Sequence, residues 1–558
     1  MKYWALPIGL CLATGTIGCT PEAPDGAVAP SDVTSADDDR PNILFVVVDD
    51  LGYTDLGAFG GEIPTPNLDS LAVGGVRFTN LHSASNCQAT RIMFMASTGI
   101  AAAEEQLPED APRPDGVRGS YLSRDWATMA ALLKDAGYST YMAGKWDLGS
   151  VPGYFPPDRG FDRSFALVGA SGSHFAAYFR GAPFVVDGEL VNPEDLPADF
   201  YSTEYFTDRI LQYLSEHEGG GPWFAYLPYS AVHWPLHLPD DWLDRYAGRY
   251  DAGYDELRVA RVNRASELGV LPDAASLDTY QPVAEPWAGL SSEEQRKYAR
   301  AQEIYAGMLE YVDMSVGRLV EYLDETDQLE NTVIMVISDN GSSSSEAGVY
   351  PGRLPAVPDT RADERFDNRL ENFGRVGSFI DHGRGFAEAA TAPFKEFKAT
   401  LSEGGLRAAS FVYFPASVPA GGISGEFLTV MDILPTFLEI AGTEHPGAGE
   451  FHGRHINGIL GRSFWPYVTG QATSVHPPEH PVGFKRQVAG ALIRGDYKIV
   501  NDLPFGEPRL GGGMGVGPPP TAWRLYDIAN DPGETTDLAA KLPELTAELV
   551  AEWETNWQ

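Results

Sequence analysis

The chain has 558 residues, 43% of them hydrophobic and 11% aromatic, enough for large buried cores in one big α/β unit or roughly two to four domains. Its 40 basic and 78 acidic residues leave a net charge of −38, which excludes the basic footprint that nucleic acid requires and reads as a solvated acidic surface. The 60 glycines and 42 prolines imply many loops.

Met1-Lys2 precedes an apolar stretch from Tyr3 to Leu12, and small residues then lead to Gly18-Cys19. This pattern is expected of a signal peptide over residues 1–19. Gly18-Cys19 resembles a lipobox, with Cys19 as the lipidated residue, although Thr16 stands where a large aliphatic residue is usual. Residues 20–40 are rich in Pro, Ala, Ser and Asp and are expected to form a flexible linker. The reading is of an exported bacterial protein, periplasmic or an outer-membrane lipoprotein, touching membrane only through that lipid.

Asn42 to Val48 is an almost continuous apolar run, as in a strand buried on both faces of a parallel sheet. Thr65-Pro66 opens a helix, with Thr65 as its cap. Helix is then expected over 125–137, 203–218, 294–326 and 430–441, and strand over 138–143, 222–227 and 332–337. This alternation predicts an α/β fold with a large, mainly parallel mixed sheet sandwiched by helices. Residues 341–394 read as a long irregular stretch, and 250–290 as an insertion. From about Gly483 onward, short runs predict a small antiparallel sheet plus helix. The expected layout is a main α/β domain over 41–480 and a C-terminal subdomain over 481–558 packed on it.

Two acidic pairs, Asp49-Asp50 and Asp339-Asn340, close predicted buried strands. Ligands in open α/β sheets bind at the carboxyl ends of strands. Three carboxylates and an amide suit a hard cation, Ca²⁺ or Mg²⁺, rather than zinc. Cys87 is the third of three cysteines, after Cys11 and Cys19 in the leader, so the folded part has no partner for it. It precedes the helical pattern starting near Ile92, where free N–H groups favour anions. Arg91 lies one turn on, on the same face. Together these residues describe a pocket for a tetrahedral oxyanion beside a divalent ion.

Cys87-Gln88-Ala89-Thr90-Arg91 resembles the C-x-P-S-R signature of the sulfatase family. Pro41 to Gly52 is similar to that family's opening strand and metal pair. Gly144-Lys145-Trp146-Asp147-Leu148-Gly149 resembles its G-K-W-H-L-G, and Pro228 to Pro235 its P-x-x-x-x-H-x-P around His233. Ser338 to Gly341, Ala392 to Arg407 with Lys398, Met431 to Thr436, and Leu525 to Pro532 follow in the family's order. The resemblance covers about residues 41–540 and leans toward bacterial arylsulfatases. It implies the alkaline phosphatase-like fold and hydrolysis of a sulfate monoester, on a small molecule or a sulfated glycan.

Carried over by position, the resemblance implies that Asp49, Asp50, Asp339 and Asn340 hold Ca²⁺. Cys87 is implied to be converted to formylglycine by a maturation enzyme that reads the unfolded segment, and its hydrate to attack sulfur, with Asp339 taking the proton. Arg91 and Lys145 are implied to stabilise the sulfuryl oxygens, and His233 and Lys398 the departing alcohol. Ala89 and Thr90 depart from the signature. The larger departure is Asp147, where the family has a histidine implied to help expel sulfate. An anion there repels a sulfate ester by about 4 kcal/mol at ~4 Å and an effective dielectric of ~20. His174, His237 and His382 are lesser candidates, and Trp126, Trp223 and Trp234 read as core or pocket wall. The alternatives are a phosphate or phosphonate ester hydrolase using the same nucleophile, and a sulfate-ester-binding homologue without turnover.

Overall fold

The computed structural model describes residues 39–106, 120–176, 183–272, 275–278, 280–344, 366–486, 489–502 and 522–557. The expected signal peptide, Cys19, most of the linker and part of the 341–394 stretch lie outside them.

The strand Asn42–Val48 is fully paired and buried at the middle of a ten-stranded sheet. Its period of two divides it between two cores. Leu44, Val46 and Val48 enter the core on one face of the sheet, and Ile43, Phe45 and Val47 the core on the other. Each side chain so buried contributes roughly 1.5–3 kcal/mol, which explains why the run carries no polar residue after Asn42. Strands 332–338, 42–48, 223–228, 139–145 and 163–167 lie side by side and parallel. Short antiparallel strands extend both edges.

The long helix Ser292–Glu325 starts with a capping box, Ser291 with Glu294. It packs with helices Pro66–Gly74 and Ser202–Ser215 on one side of the sheet. Helices Cys87–Ala96, Met129–Asp135 and Ile433–Ile440 cover the other. The C-terminal strands 481–486, 489–494, 497–500 and 524–527 form an antiparallel sheet against helix Pro543–Asn556.

Three local expectations are corrected. Thr65 does not cap its helix through its side chain; its hydroxyl instead donates to Asp69 and accepts from Gly57 N. The helix expected from 125 begins at Met129, because Thr128 accepts from Ala131 N and fixes the start there. The 341–394 stretch is not irregular throughout: Gly383–Thr391 is a helix, eight of its nine residues buried. Its alanine-rich sequence packs against the insertion helix Tyr254–Glu267.

Candidate active site

Four parallel-strand ends and one helix start converge. Asp49 and Asp50 follow strand 42–48, Asp339 and Asn340 follow 332–338, Lys145 ends 139–145, and His233 follows 223–228. Asp50 turns the chain in the left-handed region, at φ 62°. Its N–H donates to Asp339 Oδ1 at 3.3 Å, tying the two acidic pairs together. The helix Cys87–Ala96 is capped by Asn86, whose side chain accepts from Ala89 N at 3.0 Å. The alanine at 89 therefore makes a cap bond that the signature proline, lacking an N–H, cannot make. Thr90 Oγ1 accepts from Ala84 N at 2.8 Å, a bond that serine would also make.

Cys87 Sγ lies 3.2 Å from Asp49 Oδ1 and 3.1 Å from Lys398 Nζ. Lys398 also meets Asp50 Oδ1 at 2.5 Å, and Lys145 meets Asp49 Oδ2 at 2.5 Å. Arg91 binds Asp339 Oδ2 through Nε and Nη2, and its Nη1 donates to Lys145 O at 2.8 Å. His233 Nε2 is 3.6 Å from Asp50 Oδ2. The ten residues named in the sequence for catalysis and metal binding thus include nine joined in one buried network. The tenth, Asp147, sits beside it: Gln88 Nε2 donates to its backbone carbonyl at 3.3 Å.

The electrostatics follow from burial. Burial opposes the charges of Asp49 and Asp50, yet neighbouring cations hold both carboxyls below their usual range. Burial also lowers His233, against the pull of Asp50, so at neutral pH Arg91, Lys145 and Lys398 supply the positive charge. Burial, then the Asp339 and Asp49 carboxylates, pushes the Cys87 thiol well above its usual value. Burial raises Asp147 to about 6, opposed by Lys145 and Arg91.

The donor set fits a hard cation. Asp50 Oδ2 and Asn340 Oδ1 are buried and accept no hydrogen bond, while Asn340 Nδ2 donates to Asp50 Oδ1 at 2.7 Å and so turns the amide oxygen away from it. Asp49, Asp50, Cys87 and His233 also bring one donor atom each within 4.8 Å of one another. Taken alone that mixed set resembles a zinc site, but the oxygens of Asp339 and Asn340 at the adjoining strand end favour a hard cation.

The lesser histidines are satisfied within the protein. His174 bonds Ser202 Oγ and the carbonyl of His233, burial taking it down to about 3, so it orients the His233 loop. His237 bonds Ser378 O, and His382 bonds Gln302 and Ser343 O and stacks on Tyr305. Trp126 and Trp223 are buried core; Trp234 packs on His233 and Phe379.

Sequence reasoning missed the supports. Tyr226 OH receives Arg91 Nη1 at 3.4 Å. Tyr305 OH donates to Asp55 Oδ2 at 2.6 Å and lies 3.3 Å from Asp50 O. Arg261, from the insertion helix, joins Asp55 and Glu62 with contacts of 2.6 Å each. Asp55 follows Asp50 closely in sequence, but nothing local marks its partners more than 200 residues away.

Acidic strand ends, buried cations and a residue poised at a helix start define an ester hydrolase of the alkaline phosphatase-like fold. The chain belongs to the sulfatase family: the Sulfatase family model matches residues 41–443. It is 36% identical over 538 residues to an uncharacterized sulfatase of Schizosaccharomyces pombe, covering 93% of each chain. It is 34% identical over 420 residues to the arylsulfatase of Klebsiella aerogenes, covering 74% of this chain and 88% of that one. Its fold matches the crystal structure of Ps i-CgsB in complex with k-i-k-neocarrahexaose, with a TM-score of 0.63, 21% identity and 92% of each chain covered. The protein is a sulfatase.

Proposed function

We propose that this sulfatase cleaves a sulfate monoester, aryl or glycan, using formylglycine made from Cys87 and a bound Ca²⁺. The observation that carries the reading is the environment of Cys87. Its Sγ stands within hydrogen-bond distance of an acid and a lysine at the mouth of a hard-oxygen site, yet burial and two carboxylates keep the thiol protonated. A thiol so held is a poor nucleophile, and the position gains chemistry only when the side chain is changed. Formylglycine at 87 supplies a hydrated aldehyde as nucleophile, and calcium held by Asp49, Asp50, Asp339 and Asn340 supplies positive charge for the sulfuryl oxygens.

The chain's own residues do the rest. Asp339 was expected to take the nucleophile's proton, but its Oδ2 accepts from Arg91 and its Oδ1 from Asp50 N. The carboxylate oxygen nearest Sγ is Asp49 Oδ1, which makes Asp49 the better proton acceptor. Arg91 and Lys145 are fully buried and fixed by hydrogen bonds, so their charges are preorganised for the sulfuryl group. Lys398, 3.1 Å from Sγ, and His233, 3.6 Å from Asp50, stabilise the departing oxygen. Asp147, uncharged when protonated, admits the anionic ester and accepts a proton at higher pH.

The leader supports export to the periplasm, with Cys19 as a lipid anchor. Loss of radiolabelled palmitate from a Cys19→Ala variant would bear this out. The catalytic reading is tested by mass spectrometry of the Cys87 peptide from the native host, with assays on aryl sulfate, phosphate and phosphonate esters. An unmodified thiol throughout, or far faster turnover of a phosphorus ester, overturns it.

A further inference from the structure

The C-terminal motif Leu525 to Pro532 plays no part in the chemistry above. Two carboxylates of this C-terminal region nevertheless end on the loop that carries Lys398. Asp502 Oδ2 accepts from Leu401 N at 3.0 Å, and Glu534 Oε2, two residues past the motif, accepts from Glu403 N at 2.7 Å. Glu534 is itself anchored: Lys498 Nζ lies 3.0 Å from its Oε1 and 2.9 Å from Glu403 Oε1, with the lysine fully buried.

The loop needs such anchors. Between Thr391 and Glu403 it has no helix or strand, and two non-glycine residues take positive φ, Glu396 at 59° and Ala399 at 68°. Such residues keep that conformation only where the surroundings enforce it. Ala399 adjoins Lys398. On the active-site side, Lys398 N donates to Ser342 O and Ala399 N to Ser85 O. Ser402 Oγ and Thr391 Oγ1 donate to Glu396 from nearby in the chain, and the anchors from the C-terminal region are Asp502 and Glu534.

We propose that Asp502 and Glu534 are positioning residues that hold loop 396–403, with its left-handed bends at Glu396 and Ala399, in place and so set Lys398 Nζ against residue 87 and the departing oxygen. The proposal rests on the role given to Lys398 above. Displacing such a group by about 1 Å can cost on the order of 100-fold in rate.

The test compares kcat on 4-nitrophenyl sulfate, a good leaving group, and phenyl sulfate, a poor one, in the matured full-length enzyme. Lys398→Ala should slow the poor substrate more than the good one. Asp502→Ala and Glu534→Ala should show the same bias, lowering kcat for phenyl sulfate about 10-fold or more and for the nitrophenyl ester less than about 3-fold, with KM little changed. Asp502→Asn and Glu534→Gln, which keep an acceptor oxygen, should recover most of the loss. Adding Asp502→Ala to Lys398→Ala should cost nothing more. In the metal-free protein, amide exchange over 396–403 should rise in both alanine variants. Should either alanine variant fail to fold alone, it is paired with Ala399→Gly, which removes the side-chain cost of the bend and should restore part of the phenyl sulfate rate. Equal slowing of both esters, full additivity with Lys398→Ala, unchanged exchange or no restoration overturns the proposal. If Lys398→Ala itself shows no leaving-group bias, the role of Lys398 falls, and the positioning proposal falls with it.

Discussion

Arg91 meets one oxygen of Asp339 with two of its nitrogens, Nε at 3.1 Å and Nη2 at 2.7 Å, and both side chains are fully buried. The pair joins the helix that presents Cys87 to the strand that presents Asn340. Removing one partner of a buried pair leaves the other uncompensated, at about 3–5 kcal/mol. Arg91→Met should lose that much stability in a denaturant titration as well as its activity. A loss below about 1 kcal/mol would show that the pair does not brace the site.

Calcium should stabilise the folded chain by mass action, by about 2.7 kcal/mol at a free concentration 100 times Kd. Thermal unfolding with and without chelator measures this. Asn340→Ala removes an orphaned buried oxygen and should shrink the calcium-dependent shift. An undiminished shift would place the cation elsewhere.

Burial raises the Asp147 carboxyl to about 6 from a usual 3.8, so the folded state holds this proton more tightly than the unfolded state. The contribution to stability is fully present below about pH 4 and is lost as pH rises through about 6. In calcium-free protein Asp147→Asn should therefore exceed wild type at pH 8, by up to ~3 kcal/mol for a shift of about two units. The advantage should shrink toward pH 4.5. Denaturant titrations at the two pH values decide it, and a pH-independent difference would contradict it.

Arg261 ties the insertion helix to Asp55 and Glu62, and Asp55 braces both Gly52 N and Tyr305 beside Asp50. Arg261→Met should cost about 3–5 kcal/mol and also weaken calcium binding. Calorimetric titration of calcium into this variant checks the second effect; unchanged affinity would confine Arg261 to stability.

The Asn86 cap predicts an energetic coupling. Asn86→Ala should cost about 1 kcal/mol in the wild type, but much less in an Ala89→Pro background, where no N–H remains to be capped. A double-mutant cycle measures this, and additive losses would show that the cap bond contributes nothing.

Much of this site is legible in the sequence because strand ends announce themselves. The run Asn42 to Val48 ends in two aspartates, and 332 to 338 ends in Asp339-Asn340, so apolar burial and ligand chemistry adjoin in one segment. Lys145, His233 and Lys398 were legible through a resemblance rather than through any local pattern. Asp55, Arg261, Tyr305 and Tyr226 were not, since an isolated Arg or Tyr has no period and its partner is fixed only by tertiary packing. The helix Gly383–Thr391 was hidden for a related reason: the glycines of its first turn, Gly383 and Gly385, and Pro393 just past its end read as loop, and its burial against the insertion outweighs them.

The contacts that close around Cys87 are spaced very unevenly along the chain. Asn86 and Thr90 are local, but Asp339 lies 248 residues after Arg91, and Lys398 lies 311 after Cys87. At synthesis rates of 5–20 residues per second, roughly 10–50 s pass between the emergence of Arg91 and that of Asp339. During that interval Arg91 has no Asp339 to pair with and the pocket has no far wall, so the modification of Cys87 proposed above would find the segment still open. If Cys87 is converted as proposed, the order of residues along the chain would act as a timer for chemistry that the finished fold shuts out.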